Sequence, residues 1–290
     1  MTRTGVARAN GIEICYETFG DPARPAMLLI MGLGVQLTAW EPEFCQAFAD
    51  QGFYVIRYDN RDTGLSTRCE PGTSGTEDGA YTLYDMAADG IGLLATLGIA
   101  RAHVVGASMG GMIAQAMAIR YPDQVLSLCS IMSTTGAPGV NAADPRALGA
   151  VTATEPETRD DAVRSAVARA RLLAGGGFSF DEPRVRRRAA AAFDRANYPA
   201  GKQRHRAAIA ATGDRTEALR QLRLPTVVIH GDSDPVMTPS CGKATAAAIP
   251  GAKLVVIAGM GHEIPLGAQP QIIEAVVRNA RRTLTSSDLH

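Results

Sequence analysis

Short hydrophobic runs alternate with longer amphipathic stretches along most of this chain. The runs predict buried strands at residues 26–31, 54–58, 103–106, 125–131, 226–230 and 253–257. Apolar positions recur with helical spacing at residues 43–51, 83–97, 109–120, 239–249 and 269–283. Residues 11–17 alternate with period two, which predicts an antiparallel hairpin at the leading edge. Strands that alternate with helices predict an α/β fold with a mostly parallel central sheet flanked by helices.

The pattern changes between residues 136 and 223, where strand-like runs disappear and segments rich in alanine and arginine take over. Residues 160–174 and 182–196 predict two of the helices in this stretch. We therefore expect an inserted helical cap at residues 136–223, with a core domain formed by residues 1–135 and 224–290. Three consecutive glycines at residues 175–177 predict a hinge or a helix break inside the cap.

Composition narrows the classes of function. The 290 residues contain 29 Lys and Arg against 29 Asp and Glu, so no basic field favours nucleic acid or an anionic membrane. The five cysteines are scattered without a CxxC pair, which argues against a metal site or a disulfide framework. We find neither a secretory signal nor a run long enough to span a bilayer. We expect a cytoplasmic protein that binds a small-molecule ester and needs no cofactor or metal.

Residues 106–110 read Gly-Ala-Ser-Met-Gly and lie between a predicted strand and a predicted helix. In a nucleophile elbow the serine sits on a tight strand-to-helix turn, and the residues two before and two after it must be small. Gly106 and Gly110 meet that requirement around Ser108. Taken alone, the pentapeptide is as consistent with a glycine-rich turn that carries an incidental serine, so the assignment depends on partners elsewhere.

A nucleophilic serine needs a base within reach, and the base needs an acceptor that fixes its tautomer. His262 follows the last predicted strand in a Gly-Met-Gly-His segment whose glycines let the loop turn sharply. Two acids, Asp232 and Asp234, follow the strand at residues 226–230. We favour Asp234 because it lies further along the loop and Pro235 fixes the chain that leaves it; Asp232 is the alternative acid or a loop-capping residue. The order serine, acid, histidine is that of the α/β-hydrolases.

The remaining histidines receive no catalytic role. His230 ends a strand and is interpreted as a packed structural residue, His103 begins a strand, His205 belongs to the cap, and His290 is terminal.

Two further groups of residues complete the predicted site. An oxyanion hole needs backbone N–H groups from the residue after the nucleophile and from the loop after an early strand, here Met109 and Leu33. Several methionines flank the same elements, and with Trp40 they suggest an adaptable apolar pocket, although ordinary core packing is the alternative. The tentative pocket residues are Met31, Trp40, Met132 and Met237.

Four motifs carry a family resemblance: Tyr-Asp-Asn-Arg-Asp-Thr-Gly-Leu-Ser at residues 58–66, Met-Gly at 31–32, Val-Val-Gly-Ala-Ser-Met-Gly at 104–110 and Gly-Met-Gly-His at 259–262. With them the chain resembles the α/β-hydrolase superfamily over nearly its whole length and, within it, the aclacinomycin methylesterase group. The resemblance implies the α/β-hydrolase fold and action on methyl esters of anthracycline polyketides. It also implies Ser108, Asp234 and His262 as the triad, with Leu33 and Met109 as oxyanion donors.

Three hypotheses about function follow. The favoured one is a serine hydrolase of carboxylic esters, of carboxylesterase or methylesterase type, acting through an acyl-serine intermediate on a small hydrophobic ester. The second is another reaction on the same triad: cofactor-free perhydrolysis, lactone hydrolysis or thioester hydrolysis. The third is a ligand receptor that keeps a triad but turns over slowly, which a ligand-dependent partner would reveal.

Overall fold

The computed structural model describes residues 3–70, 80–154 and 156–283, and its centre is one eight-stranded sheet. The strands are β1 (Arg3–Ala9), β2 (Ile12–Phe19), β3 (Ala26–Ile30), β4 (Tyr54–Tyr58), β5 (Ala102–Ala107), β6 (Val125–Ile131), β7 (Thr226–Gly231) and β8 (Lys253–Ile257). Their order across the sheet is β1-β2-β4-β3-β5-β6-β7-β8. β2 pairs antiparallel with β1 and β4, and the other neighbouring strands are parallel. The predicted fold class and the leading hairpin are confirmed.

Ten α-helices lie in the described ranges. They are α1 (Pro42–Asp50), α2 (Leu83–Thr96), α3 (Met109–Arg120), α4 (Pro145–Thr152), α5 (Arg159–Leu173), α6 (Glu182–Arg195), α7 (Pro199–Thr212), α8 (Thr216–Leu219), α9 (Pro239–Ala248) and α10 (Gln269–Arg281). Five of them, α4 to α8, follow one another between β6 and β7, which is where the sequence pattern loses its strands. None of these helices is long and apolar enough to cross a membrane.

Two buried clusters hold the helices onto the two faces of the sheet. One cluster includes apolar side chains of α2 and α3, and the other includes those of α1 and α10. α3 is buried along nearly its whole length, which suits a sequence without a polar face. β5 is buried on both faces, as expected for a central parallel strand. Helices therefore cover both faces of the sheet. Functional side chains are expected on the loops at the carboxyl ends of the strands.

α6 differs from the helices of the core in how it is held. It has no fully buried residue, and it packs mainly against α5. It also bonds to the core through Arg184, Arg195 and the Gln36 amide. This helix therefore depends on polar contacts for its position more than α3 does.

Candidate active site

Ser108 lies at the turn between β5 and α3 with φ 56° and ψ −121°, a backbone conformation that residues other than glycine rarely adopt. The flanking glycines allow this turn. A Cβ atom at Gly106 would lie 2.0 Å from the Gly110 carbonyl oxygen, and a Cβ atom at Gly110 would lie 2.1 Å from the Ile30 carbonyl oxygen. The strand, the turn and the helix therefore approach so closely that only glycine fits at both positions, as a nucleophile elbow requires.

The elbow is held by the core of the sheet. The Ser108 N–H donates to the Ile131 carbonyl at 2.9 Å, and the Ser133 hydroxyl donates to the Ser108 carbonyl at 2.8 Å. Both partners stand at or just beyond the end of β6, the neighbouring strand. The main chain of Ser108 is thus held by one main-chain bond to β6 and one side-chain bond from the residue just beyond it.

His262 joins Ser108 to Asp234. Its Nε2 lies 2.9 Å from the Ser108 Oγ, and its Nδ1 lies 2.7 Å from the Asp234 Oδ2. The other carboxylate oxygen of Asp234 accepts the N–H groups of Val236 and Met237 at 2.8 and 2.9 Å. A carboxylate held in this way fixes the imidazole with the proton on Nδ1, which leaves the Nε2 lone pair facing the serine hydroxyl.

The two candidate acids have different partners. Asp232 accepts the Gly259 N–H at 2.7 Å and the Ser233 hydroxyl at 2.9 Å, as a loop-capping residue does. Asp234 is the acid that contacts His262. The structure therefore brings together Ser108, Asp234 and His262, the three residues that the sequence nominated.

His230 supports the loop that carries the acid. Its Nε2 donates to the Met237 carbonyl at 2.7 Å and lies 3.7 Å from the Asp234 Oδ2. Burial lowers the pKa of His230, so the ring is neutral near neutral pH. This arrangement agrees with the packed structural role expected for it.

Leu33 lies in the turn after β3, and Met109 directly follows the serine. Leu33 belongs to a turn closed by a 3.2 Å bond from the Val35 N–H to the Gly32 carbonyl, and Met109 is the first residue of α3. A Cβ atom at Gly32 would lie 3.2 Å from the Ser108 Cβ, which shows how closely this turn approaches the nucleophile. Within the described ranges, neither the Leu33 N–H nor the Met109 N–H donates to another protein group.

A cavity of about 560 Å³ opens above the serine and the histidine. Met31, Trp40 and Met132 line it, and the Trp40 ring stacks on Phe44 with centroids 5.7 Å apart. Six alanines of the inserted helices also line it; they are Ala162, Ala166 and Ala170 of α5 and Ala189, Ala191 and Ala192 of α6. Arg169, Arg184, Arg187 and Arg188 line it as well, so the cavity combines apolar surface with positive charge.

The prediction that Met237 lines this pocket is corrected. Met237 follows the acid loop but does not line the cavity. Its side chain packs instead near the small buried cluster of Ala147, Leu173 and Val236. Its N–H donates to Asp234, while its side chain packs against the core.

The loop that carries His262 is bonded to the end of α5. The His262 N–H donates to the Leu173 carbonyl at 2.8 Å, and the Gly177 N–H donates to the Gly259 carbonyl at 2.9 Å. Both bonds are between main-chain groups. The helical segment therefore contacts the proposed base directly, which the sequence did not indicate.

Glycines allow this close docking. A Cβ atom at Gly261 would lie 1.9 Å from the Leu173 carbonyl oxygen, and one at Gly175 would lie 2.4 Å from the Gly261 nitrogen. At Gly176 a Cβ atom would meet nothing within 4 Å. Residues 175–177 separate α5 from α6, as the predicted helix break requires, but they also pack against the histidine loop.

Ionic contacts hold α6 over the cavity near both of its ends. The Arg184 Nε donates to Glu41 at 2.8 Å, and the Arg195 Nη1 lies 2.7 Å from both Asp59 and the Gln36 Oε1. Burial raises the pKa of Glu41, but the hydrogen bond from Arg184 and the neighbouring arginine charges outweigh it and leave the pKa below its ordinary value. Glu41 is thus ionised near neutral pH. Among the described residues, no cluster of three or more His, Cys, Asp or Glu side chains could hold a metal ion.

Comparisons with known proteins identify the family of this chain. A model of the alpha/beta hydrolase fold family matches residues 25–268. The chain is 30% identical to the rhodomycin D methylesterase DnrP of Streptomyces peucetius, over 93% of this chain and 95% of that protein. It is 29% identical to the rhodomycin D methylesterase DauP of a Streptomyces species over the same shares.

Solved structures share the fold. A meta-cleavage product hydrolase from Pseudomonas fluorescens superposes with a TM-score of 0.80 at 22% identity, covering 96% of this chain and 97% of that one. An enol-lactonase from Burkholderia xenovorans superposes with a TM-score of 0.72 at 26% identity, covering 97% of this chain and all of that one.

Proposed function

The chain belongs to the α/β-hydrolase fold family, and from that premise we propose that it is a serine hydrolase of carboxylic esters. The observation that carries the proposal is the continuous line of hydrogen bonds from Ser108 through His262 to the buried Asp234. A serine, an imidazole of fixed tautomer and an oriented carboxylate are the groups that acyl transfer uses.

In the proposed reaction the Ser108 Oγ attacks the ester carbonyl carbon while the His262 Nε2 takes the hydroxyl proton. The N–H groups of Leu33 and Met109 bind the oxyanion that forms. The tetrahedral intermediate then collapses, the C–O bond to the alcohol breaks, and His262 returns the proton to the leaving oxygen. Water, activated by the same imidazole, hydrolyses the acyl-serine and releases the acid.

The cavity supports a bulky substrate. Its volume suits a drug-sized ligand, and Trp40 and the alanines of α5 and α6 give it apolar surface against which flat rings can pack. The relatives are named as methylesterases of rhodomycin D. We therefore propose a methyl ester of a polycyclic acid as the substrate class, and residues 136–223 as the cap that encloses it.

The nucleophile is tested with p-nitrophenyl acetate and butyrate. We expect Ser108→Ala to lower kcat/KM by about 10⁴-fold or more, because a triad without its nucleophile keeps only binding and oxyanion stabilisation. Ser240→Ala is the matched control, since this exposed serine bonds to the Val140 carbonyl away from the site. Equal activity of wild type and Ser108→Ala would refute the serine mechanism.

The substrate class is tested with an ester panel. We expect methyl esters of fused aromatic acids to have a higher kcat/KM than methyl esters of long-chain fatty acids. Preference for the fatty acids would contradict the proposed acyl group. Hydrolysis of lactones but not of open-chain esters would assign the same residues to a lactonase.

A further inference from the structure

The turn that carries Leu33 holds one peptide in a particular orientation. The turn is closed from the Val35 N–H to the Gly32 carbonyl, and Gly34, its third residue, has φ +64°. Leu33 has no positive φ. These features are those of a type II turn, whose central peptide points opposite to that of a type I turn. Glycine allows this orientation of the peptide between Leu33 and Gly34, and a partner of the Gly34 N–H would select it over the flipped one.

That partner is His205 of α7, a residue 171 positions away in the chain. The Gly34 N–H donates to the His205 Nδ1 at 3.2 Å. The other ring nitrogen, Nε2, lies 2.7 Å from the Arg61 carbonyl oxygen. The ring is completely buried, so both nitrogens depend on these protein partners.

The two contacts fix the tautomer of His205. A carbonyl oxygen can only accept, so the proton must be on Nε2 and the lone pair must be on Nδ1. Burial lowers the pKa of His205 to about 4, which keeps the ring neutral at neutral pH. The Nδ1 lone pair attracts the Gly34 N–H, whereas it would repel the Leu33 carbonyl of the flipped peptide.

The anchor for the ring is itself rigid. Arg61, whose carbonyl binds Nε2, forms two 2.6 Å hydrogen bonds with Asp89, and both side chains are buried. His205 therefore connects a fixed point beyond β4 to the turn beyond β3. α7 supplies the only side chain that bonds to Gly34 in the described part of the chain.

We propose that His205 is a positioning residue that holds the oxyanion turn in the orientation required for catalysis. The proposal rests on the proposed ester hydrolysis, because it assigns His205 a role in orienting the Leu33 donor. His205 does not contact the reacting atoms. It holds the Leu33–Gly34 peptide, which is joined through the Leu33 Cα to the Gly32–Leu33 peptide that carries the proposed donor N–H. The inserted helices thereby contribute to transition-state binding.

Two substitutions separate the two ring contacts. In His205→Asn the side-chain oxygen lies where Nδ1 was, so an acceptor for the Gly34 N–H is kept. In His205→Gln the side-chain amide reaches the Nε2 position, so a donor to the Arg61 carbonyl is kept and the acceptor for Gly34 is lost. Each full-length variant is assayed for p-nitrophenyl butyrate hydrolysis, for the rate of fluorophosphonate labelling of Ser108, and for Tm.

We expect His205→Gln to lower kcat and the labelling rate about 10- to 100-fold with little change in KM, since mispositioning an oxyanion donor affects the transition state. His205→Asn should recover most of both rates. Equal losses in the two variants, or losses that follow Tm instead of side-chain chemistry, would overturn the proposal.

Amide hydrogen exchange at Gly34 distinguishes this proposal from the proposed function. If wild type and Ser108→Ala hydrolyse esters equally, the proposed function is refuted. Hydrogen exchange then tests by itself whether His205 orders the turn. The positioning role is supported if the Gly34 amide is protected from exchange in wild type and His205→Asn but not in His205→Gln. Equal protection in all three proteins overturns it. If His205→Gln does not fold, the ¹⁵N signals of His205 in wild type decide, and a protonated Nδ1 overturns the proposal.

Discussion

The elbow that carries Ser108 and the loop that carries His262 are supported in different ways, although the Ser108 Oγ and the His262 Nε2 lie only 2.9 Å apart. The elbow is bonded to β6 and packed by glycines against β3 and α3, so the core alone holds it. The histidine loop donates to the carbonyl of Leu173, at the end of α5. The core therefore positions the proposed nucleophile, whereas the inserted helices help to position the proposed base.

Among these substitutions, we expect the greatest loss of activity from a change at Asp234. Asp234→Asn should lower kcat by about 10⁴-fold, because an amide in place of the carboxylate favours the wrong tautomer of His262. Asp232→Asn is the matched control two residues away and should change kcat by less than about 10-fold, since Asp232 caps the Gly259 N–H. Steady-state kinetics measure both, and a greater loss in Asp232→Asn would exchange the two roles.

A second, smaller loss of activity is expected when the packing of residues 175–177 against the His262 loop is disturbed. Gly175→Ala should lower kcat about 10- to 100-fold, because its Cβ would lie 2.4 Å from the Gly261 nitrogen and must displace the histidine loop. Gly176→Ala has the same positive φ but open space around the new atom. It should cost about 1 to 2 kcal/mol of stability and leave kcat nearly unchanged.

Urea unfolding and kinetics on the same preparations separate strain from displacement of the loop. Equal losses of kcat in Gly175→Ala and Gly176→Ala would show that docking of residues 175–177 does not position the base.

A smaller effect tests the ionic contact at the start of α6. Glu41→Gln should raise KM about 2- to 10-fold with kcat nearly unchanged, because removal of the charge weakens the hold of Arg184 on the helix that covers the cavity. Glu43 also lies beside the cavity but is exposed, so Glu43→Gln is the matched control. An unchanged KM in Glu41→Gln would mean that apolar packing suffices to hold α6.

The smallest effect on activity is expected where only stability changes. Burial lowers the pKa of His103 to about 4, whereas its unfolded value is near 6.5. Between these values the unfolded chain binds the proton first, so stability is complete above about pH 6.5 and falls as pH decreases toward 4. His103→Asn should remove about 1.4 kcal/mol per pH unit from this slope and leave activity at pH 7 unchanged. Urea unfolding across this pH range measures the slope, and an unchanged slope would contradict the buried neutral state.

Much of this molecule could be predicted because its signals are local or follow from one parallel sheet. The hydrophobic runs predicted the strands, and Ser108, Asp234 and His262 could be grouped because each follows a strand that ends at the same edge. Asp234 could be favoured over Asp232 from its place in the loop. The glycines around Ser108 were readable because the packing they serve lies within a few residues.

The rest depends on contacts between distant segments that no periodicity encodes. The bond from His205 to Gly34 and the docking of Gly175 on Gly261 arise only when the inserted helices settle on the core. Met237 was misplaced for a related reason, because proximity to Asp234 in the chain does not set the direction of its side chain.

The joint between α5 and the histidine loop is a bond between main-chain groups, which bears on how the surrounding side chains can evolve. Because the Leu173 carbonyl and the His262 N–H exist whatever side chains surround them, this joint constrains few side chains beyond the glycines that allow the approach. We therefore expect Ala162 and Ala166, two cavity-lining residues of α5 that are not buried, to tolerate exchange without breaking this joint. If the proposed function holds, changes in that wall would alter the substrates accepted, and a directed library restricted to Ala162 and Ala166 would reveal it.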